Sequence, residues 1–246
     1  MTQPPKPFAS TPFANTPFKV TVLTLTPTAW PGALGVSLIG TSLNKGDWTL
    51  ETIDIRAFGE GKHRLVDDTP AGGGPGMVMR ADIAASAIDS VVREDRPLIY
   101  LTPRGKPLTQ ARVRALADGP GIIVFCGRFE GLDERVIQGR GMEEICVGDV
   151  VLTGGDLPAQ MLVEASVRLL SGILGNQDSA QQESFEEGLL EHPLYTRPRV
   201  FEDLAIPPVL LSGDHAKIDK WKIQQSQAST QSLRPDLWAA YTRDKG

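Results

Sequence analysis

The chain has 246 residues, of which 41% are hydrophobic and 22% charged, with a net charge of −5, 25 glycines, 19 prolines and two cysteines. This is the composition of a globular protein with enough chain for one large domain, or one plus a small one; it excludes a uniformly basic nucleic-acid coat, a disulfide framework and a spaced zinc site. No apolar run approaches the roughly 18 residues a membrane span needs, and the first residues lack the apolar centre of a signal peptide, so a reducing, cytoplasmic setting without a membrane is expected.

Residues 1–18 hold five prolines and a single charge, Lys6, with Pro-Phe at 7–8, 12–13 and 17–18. Proline at that density opposes helix and ladder alike, and the segment reads as a flexible Pro-rich tail. From Lys19 onward, β and α signals alternate. Residues 20–25 and 48–55 read as strands. Apolar positions 83, 84, 87, 88, 91 and 92 make a helical stripe over 81–92. A strand at 98–102 closes at Pro103, a helix follows at 108–117, and Gly119-Pro120 stops it. Residues 122–126 read as a buried strand, 132–137 as a short helix, 145–147 and 150–152 as extended, and 157–170 as a helix with Pro158 in its first turn. Such alternation predicts an α/β fold with a mostly parallel sheet. Residues 175–188 are polar and weakly periodic, a predicted interdomain linker. Residues 189–246 form a smaller second domain, helix-rich over 218–241. From Arg197 onward the chain carries 8 basic and 6 acidic residues, the reverse of the overall balance.

Ligands of parallel sheets bind where strands end. Here three successive extended segments run into glycine-containing turns: Pro103-Arg104-Gly105, Gly127 to Gly131, and Thr153-Gly154-Gly155-Asp156. Bare main chain at three neighbouring turns predicts a cleft that reads its ligand with amides and carbonyls. The glycine run at 72–77 matches neither the dinucleotide nor the Walker fingerprint and reads as a substrate-facing loop. Asp67-Asp68 reads as a solvated turn rather than a metal site. Cys126 reads as core packing. Asp178, Glu183, Glu186 and Glu187 read as a solvated acidic stretch, although a carboxylate there that met a cleft could serve as a general base. Arg104, Lys106, Arg112 and Arg114 form an acid-free basic run that could follow a phosphate backbone.

The motifs GGGPGM (72–77), CGRFEGLDERV (126–136), GDVVLTGGDLP (148–158), SAQQESF (179–185), YTRP (195–198) and PPVLLSGDH (207–215) closely resemble, in collinear order, those of bacterial tRNA (guanine-N1)-methyltransferases acting at tRNA position 37, members of the SPOUT class. The resemblance implies a parallel sheet whose C-terminal part is tied in a deep trefoil knot (19–174), followed by a small helical tRNA-binding domain. It implies S-adenosylmethionine held in a bent shape at Tyr100, Leu101, Thr102, Pro103, Gly105, Gly127, Glu130, Val147, Gly148, Val150, Leu152, Gly154 and Gly155. It also implies Glu183 as general base, Arg168 as the cation beside the developing charge, Mg2+ as a candidate cofactor, tRNA as partner, and a homodimer sharing each active site. This sequence departs from the family pattern at Glu183, where an aspartate is usual, and at Val150, where a tyrosine is. Gln181, Gln182, Ala71 and the tail also depart. A protein that keeps the pocket and binds tRNA with little turnover is the alternative reading. A knotted enzyme acting on a ribose 2′-hydroxyl ranks below both, because that chemistry leaves the Glu183 carboxylate unexplained.

Overall fold

The computed structural model describes residues 16–174 and 183–245. Most of the expected tail (1–15) and of the expected linker (175–182) therefore lies outside the described residues. The chain divides into two compact units, Met1–Gly175 and Asn176–Gly246.

The first unit is built on five parallel strands in the order β2-β1-β6-β5-β7: β1 (Phe18–Thr24), β2 (Trp48–Asp54), β5 (Leu98–Pro107), β6 (Gly121–Phe125) and β7 (Glu143–Cys146). Helices α1 (Ser37–Lys45), α3 (Gln110–Ala117) and α5 (Asp156–Val167), together with α2 (Ala81–Asp89) and α4 (Glu134–Arg140), complete it, with a two-residue hairpin of β3 (Asp67–Asp68) and β4 (Val78–Met79).

The unbroken apolar runs of the central strands follow from burial on both faces. Along β6, Ile122 and Val124 join a core with Leu116, Leu162 and Val163, whereas Ile123 and Phe125 join a second core with Ile83, Ala87, Val136 and Ile137. Ile99 and Leu101 of β5 face the first core, Leu98 and Tyr100 the second. Period-two alternation thus distributes one hydrophobic string between two helical layers.

Several element boundaries differ from the sequence expectations. The first strand begins at Phe18, which is buried and pairs with Trp48. The helix expected over 81–92 stops at Asp89; Glu94 and Asp95 then take positive φ, and the buried Arg96 guanidinium donates to the Val92 carbonyl at 2.6 Å. The strand expected to close at Pro103 continues to Pro107. Leu101 and Lys106 both register against Ile145, so residues 102–105 leave the ladder and return to it. Residues 150–152, expected to be extended in a ladder, form no strand: β7 ends at Cys146, and the Val150 N–H turns back to the Gly148 carbonyl at 2.8 Å. The helix expected at 157–170 ends at Val167, with Arg168 as its cap. Helix α1 has no counterpart among the expected elements.

In the second unit, β8 (Val200–Phe201) and β9 (Leu204–Ala205) make a hairpin, and α6 (His215–Leu233) packs on α7 (Pro235–Lys245). The Asp214 carboxylate accepts the Lys217 N–H at 3.2 Å and caps α6. The buried Thr230 hydroxyl accepts the Leu190 N–H at 2.8 Å. Residues 183–188 form tight turns: the Phe185 N–H donates to the Leu189 carbonyl at 2.8 Å, and the Arg234 guanidinium lies 6.0 Å over the Phe185 ring. Among the described residues, no helix is long and apolar enough to cross a membrane.

Candidate functional site

The carboxyl ends of β5, β6 and β7 open into one cleft of about 790 Å³, part of it open to solvent. Tyr100, Leu101, Thr102 and Pro103 line it from β5. Gly127 and Glu130 come from the loop after β6, and Val147, Gly148, Val150, Leu152, Gly154 and Gly155 from the segment after β7. Twelve of the thirteen expected cofactor positions therefore converge. Gly105 does not line the cleft. A Cβ there would lie 2.4 Å from the Ile145 nitrogen, so this glycine lets the chain returning from residues 102–105 lie flush on β7.

The walls are fastened to each other through main chain. The Gly155 N–H donates to the Gly127 carbonyl at 2.8 Å, and a Cβ on Gly155 would come within 2.9 Å of the Cys126 Cα and Gly127 nitrogen. The glycine run at 72–77 ends on the same loop: the Glu130 N–H donates to the Met77 carbonyl and the Met79 N–H to the Gly131 carbonyl, both at 2.9 Å. The Tyr100 hydroxyl accepts the Leu132 N–H at 3.2 Å, and burial pushes the phenol pKa up, so it stays a neutral wall group. Burial likewise holds the Cys126 thiol well above its ordinary range, in keeping with a packing role.

The cleft offers exposed amides and carbonyls, apolar side chains and the carboxylate of Glu130. That donor set fits a nucleoside cofactor with a cationic centre: apolar walls for a flat ring, main-chain partners for its edges, and one carboxylate for its charge. Arg128, Phe129, Gly131 and Cys146 also line the cleft and were not anticipated. Arg128, Phe129 and Gly131 belong to the turn already singled out, whereas Cys146 is the last residue of β7. Phe129 adds a non-glycine residue at φ 58°.

Neither of the two expected catalytic residues is among those lining the cleft. Arg168 caps the far end of α5, whose twelve residues span about 18 Å from the glycine turn. Glu183 is half-buried and belongs to the second unit. Of the basic run, Arg104 pairs with Glu134 at 3.1 Å and Arg112 with Glu143 at 2.5 Å, which leaves less net charge for a phosphate backbone than the sequence promised. Asp67 and Asp68 belong to the β3–β4 hairpin. Among the described residues, no group of three or more His, Cys, Asp or Glu side chains converges as a metal site.

A parallel sheet with a main-chain cleft at its strand ends defines an α/β ligand-binding protein of the nucleoside-cofactor type. The chain belongs to the family described as tRNA (Guanine-1)-methyltransferase TrmD, whose sequence model matches residues 18–240. It is 58% identical over 224 residues to proteins of Brucella ovis and Brucella melitensis, each named tRNA (guanine-N(1)-)-methyltransferase, covering 91% of this chain and 92% of each relative. A Brucella suis protein of the same name matches at the same identity, with 91% of its own length covered.

Proposed function

We propose that the protein methylates N1 of guanine at position 37 of tRNA, with S-adenosylmethionine as methyl donor. The observation that carries this reading is the one cleft on which twelve widely separated positions converge, in a chain whose family and relatives are named for methylation of tRNA guanine N1. S-adenosylmethionine, when bound, supplies a methyl group on a sulfonium and departs as the neutral thioether. The chain's own groups do the rest. Bare main chain and apolar walls at residues 100–103, 127–130 and 147–155 hold the donor, with Glu130 as the nearest countercharge. Guanine N1 carries a proton and attacks poorly until it is removed. The Glu183 carboxylate takes that proton as the N1–methyl bond forms, and the Arg168 guanidinium stabilises negative charge building toward O6. The guanine must leave its stack to reach these groups.

The site is shared between two subunits of a homodimer. Within one chain, Arg168 and the glycine turn stand at opposite ends of α5, which supports a partner's helix and carboxylate completing each cleft. Val150, Val151, Leu152, Leu157 and Met161 are exposed apolar residues on this part of the molecule, Val151 at 88%, and supply a surface for the partner. The excursion at 102–105 and the return of residues 154–155 to the loop after β6 support a knotted path through this half of the sheet, and the second unit serves as the tRNA-binding domain. No step is assigned to Mg2+. Incubation with tRNA and S-adenosylmethionine, followed by nucleoside analysis, should yield 1-methylguanosine. Donor binding without any methylated nucleoside would instead identify a tRNA-binding protein that has lost turnover.

A further inference from the structure

Asp156 is the first residue of α5 and is only 7% exposed, yet it does not line the cleft. A carboxylate taken out of water needs partners on every side. Asp156 has them from two distant stretches of chain, residues 24–30 and Arg128. Its Oδ1 accepts the Thr24 hydroxyl at 2.6 Å and the Trp30 indole N–H at 3.0 Å, and its Oδ2 accepts the Thr26 hydroxyl at 3.0 Å. The Arg128 Nε lies 3.6 Å from Oδ2. The positive end of α5 adds to the same balance.

Arg128 connects this cluster to the cleft. Its guanidinium reaches the Thr153 carbonyl and the Thr26 hydroxyl, each at 3.4 Å, and its main chain bridges to Gly154. A Cβ on Gly154 would fall 2.5 Å from the Arg128 Cδ, so the arginine stem lies directly across that glycine. Two walls of the cleft, the loop after β6 and the turn before α5, are thus clamped by one side chain, and the charge that orients that side chain is buried behind them.

We propose that Asp156 is a positioning residue for the methyl donor: acting through Arg128, it sets the spacing between the Gly127 and Gly154–Gly155 walls. It touches no reactant. Its effect is read in how well the cleft fits the donor, because the cluster fixes Arg128, which spans two walls of that cleft. The inference rests on the reading of the cleft as the S-adenosylmethionine site.

The test compares wild type with Asp156→Asn and Thr26→Val, using calorimetric binding of S-adenosylhomocysteine and steady-state kinetics. Asp156→Asn keeps the shape but removes the charge facing Arg128. Thr26→Val removes a hydroxyl shared by Asp156 and Arg128, lies outside the cleft and outside the core, and decides the matter if the first variant does not fold. A wall shift approaching an ångström costs up to about a hundredfold, so Asp156→Asn should weaken S-adenosylhomocysteine binding and raise the donor KM by about tenfold or more. Thr26→Val should show a smaller change in the same direction, and the KM for tRNA should stay unchanged in both. Unaltered donor affinity in both variants, or donor and tRNA KM values rising together as stability falls, would overturn the positioning role. Wild type that fails to bind S-adenosylhomocysteine would overturn the reading of the cleft, and this inference with it.

Discussion

The two units differ in what their sequences are used for. In the first, strands buried on both faces hold three loops whose main chain and apolar side chains together form the walls of the cleft. In the second, two helices and a short hairpin bury little: Phe201, Leu204 and Leu233 are exposed, and Thr230 is a buried polar residue that ties the 183–191 segment to α6. The difference shows how the proposed mechanism separates donor binding from proton removal. The first falls to the sheet edge, and the second to the Glu183 carboxylate in the turns at 183–188.

Substitutions at the proposed catalytic residues and at the cleft should break different steps, and the largest effect belongs to Glu183 of the second unit. Glu183→Gln should reduce single-turnover methyl transfer by about a thousandfold, the scale of a lost general base, while calorimetric donor affinity stays at the wild-type value. Arg168→Ala should cost about a hundredfold in turnover, again with donor affinity unchanged, measured in the same assays. Gly155→Ala should do the opposite. Its Cβ has no room against Cys126 and Gly127, and the wall must shift, so the donor KM should rise by about tenfold or more with a smaller change in turnover at saturating donor. Asp214→Ala removes the α6 cap and should lower stability by about 1 kcal/mol in a urea titration, leaving donor affinity untouched.

The Cys126 thiol gives a pH test of the first unit. Because burial raises its pKa in the folded state, the unfolded chain releases this proton first as pH rises. Its contribution to stability is therefore fully present below the ordinary thiol pKa and is lost as pH rises above it toward the raised folded value. Cys126→Ala should flatten that alkaline decline in stability measured by denaturant titration.

Much of the first unit was legible because alternation and burial are local signals. The runs at 98–101 and 122–126 announce central strands, and glycines at 127, 131, 154 and 155 mark the turns beyond them. What escaped depended on partners distant in sequence. Pro103 reads as a strand stop, but Gly105 lets the chain settle back on β7 and resume pairing. Val150 to Leu152 have strand propensity but no neighbouring strand. Asp156 reads as the last residue of a glycine-containing turn, since nothing near it in sequence predicts Thr24, Thr26, Trp30 and Arg128 as its partners. Arg168 and Glu183 were placed by resemblance alone. Their spacing in the chain carries no geometric information about the proposed site.

The division of labour is tested most directly by subunit complementation between Glu183→Gln and Gly155→Ala, assayed at a donor concentration that saturates wild type but not the cleft variant. Glu183→Gln alone should yield almost no 1-methylguanosine and Gly155→Ala a reduced amount set by its raised donor KM, and recovery is scored above that background. After mixing and subunit exchange, half of the dimers are mixed and one of their two sites is intact, so activity should recover to about a quarter of wild type. No recovery, with mixed dimers demonstrated in solution, would contradict an active site that joins the cleft of one chain to the carboxylate of the other.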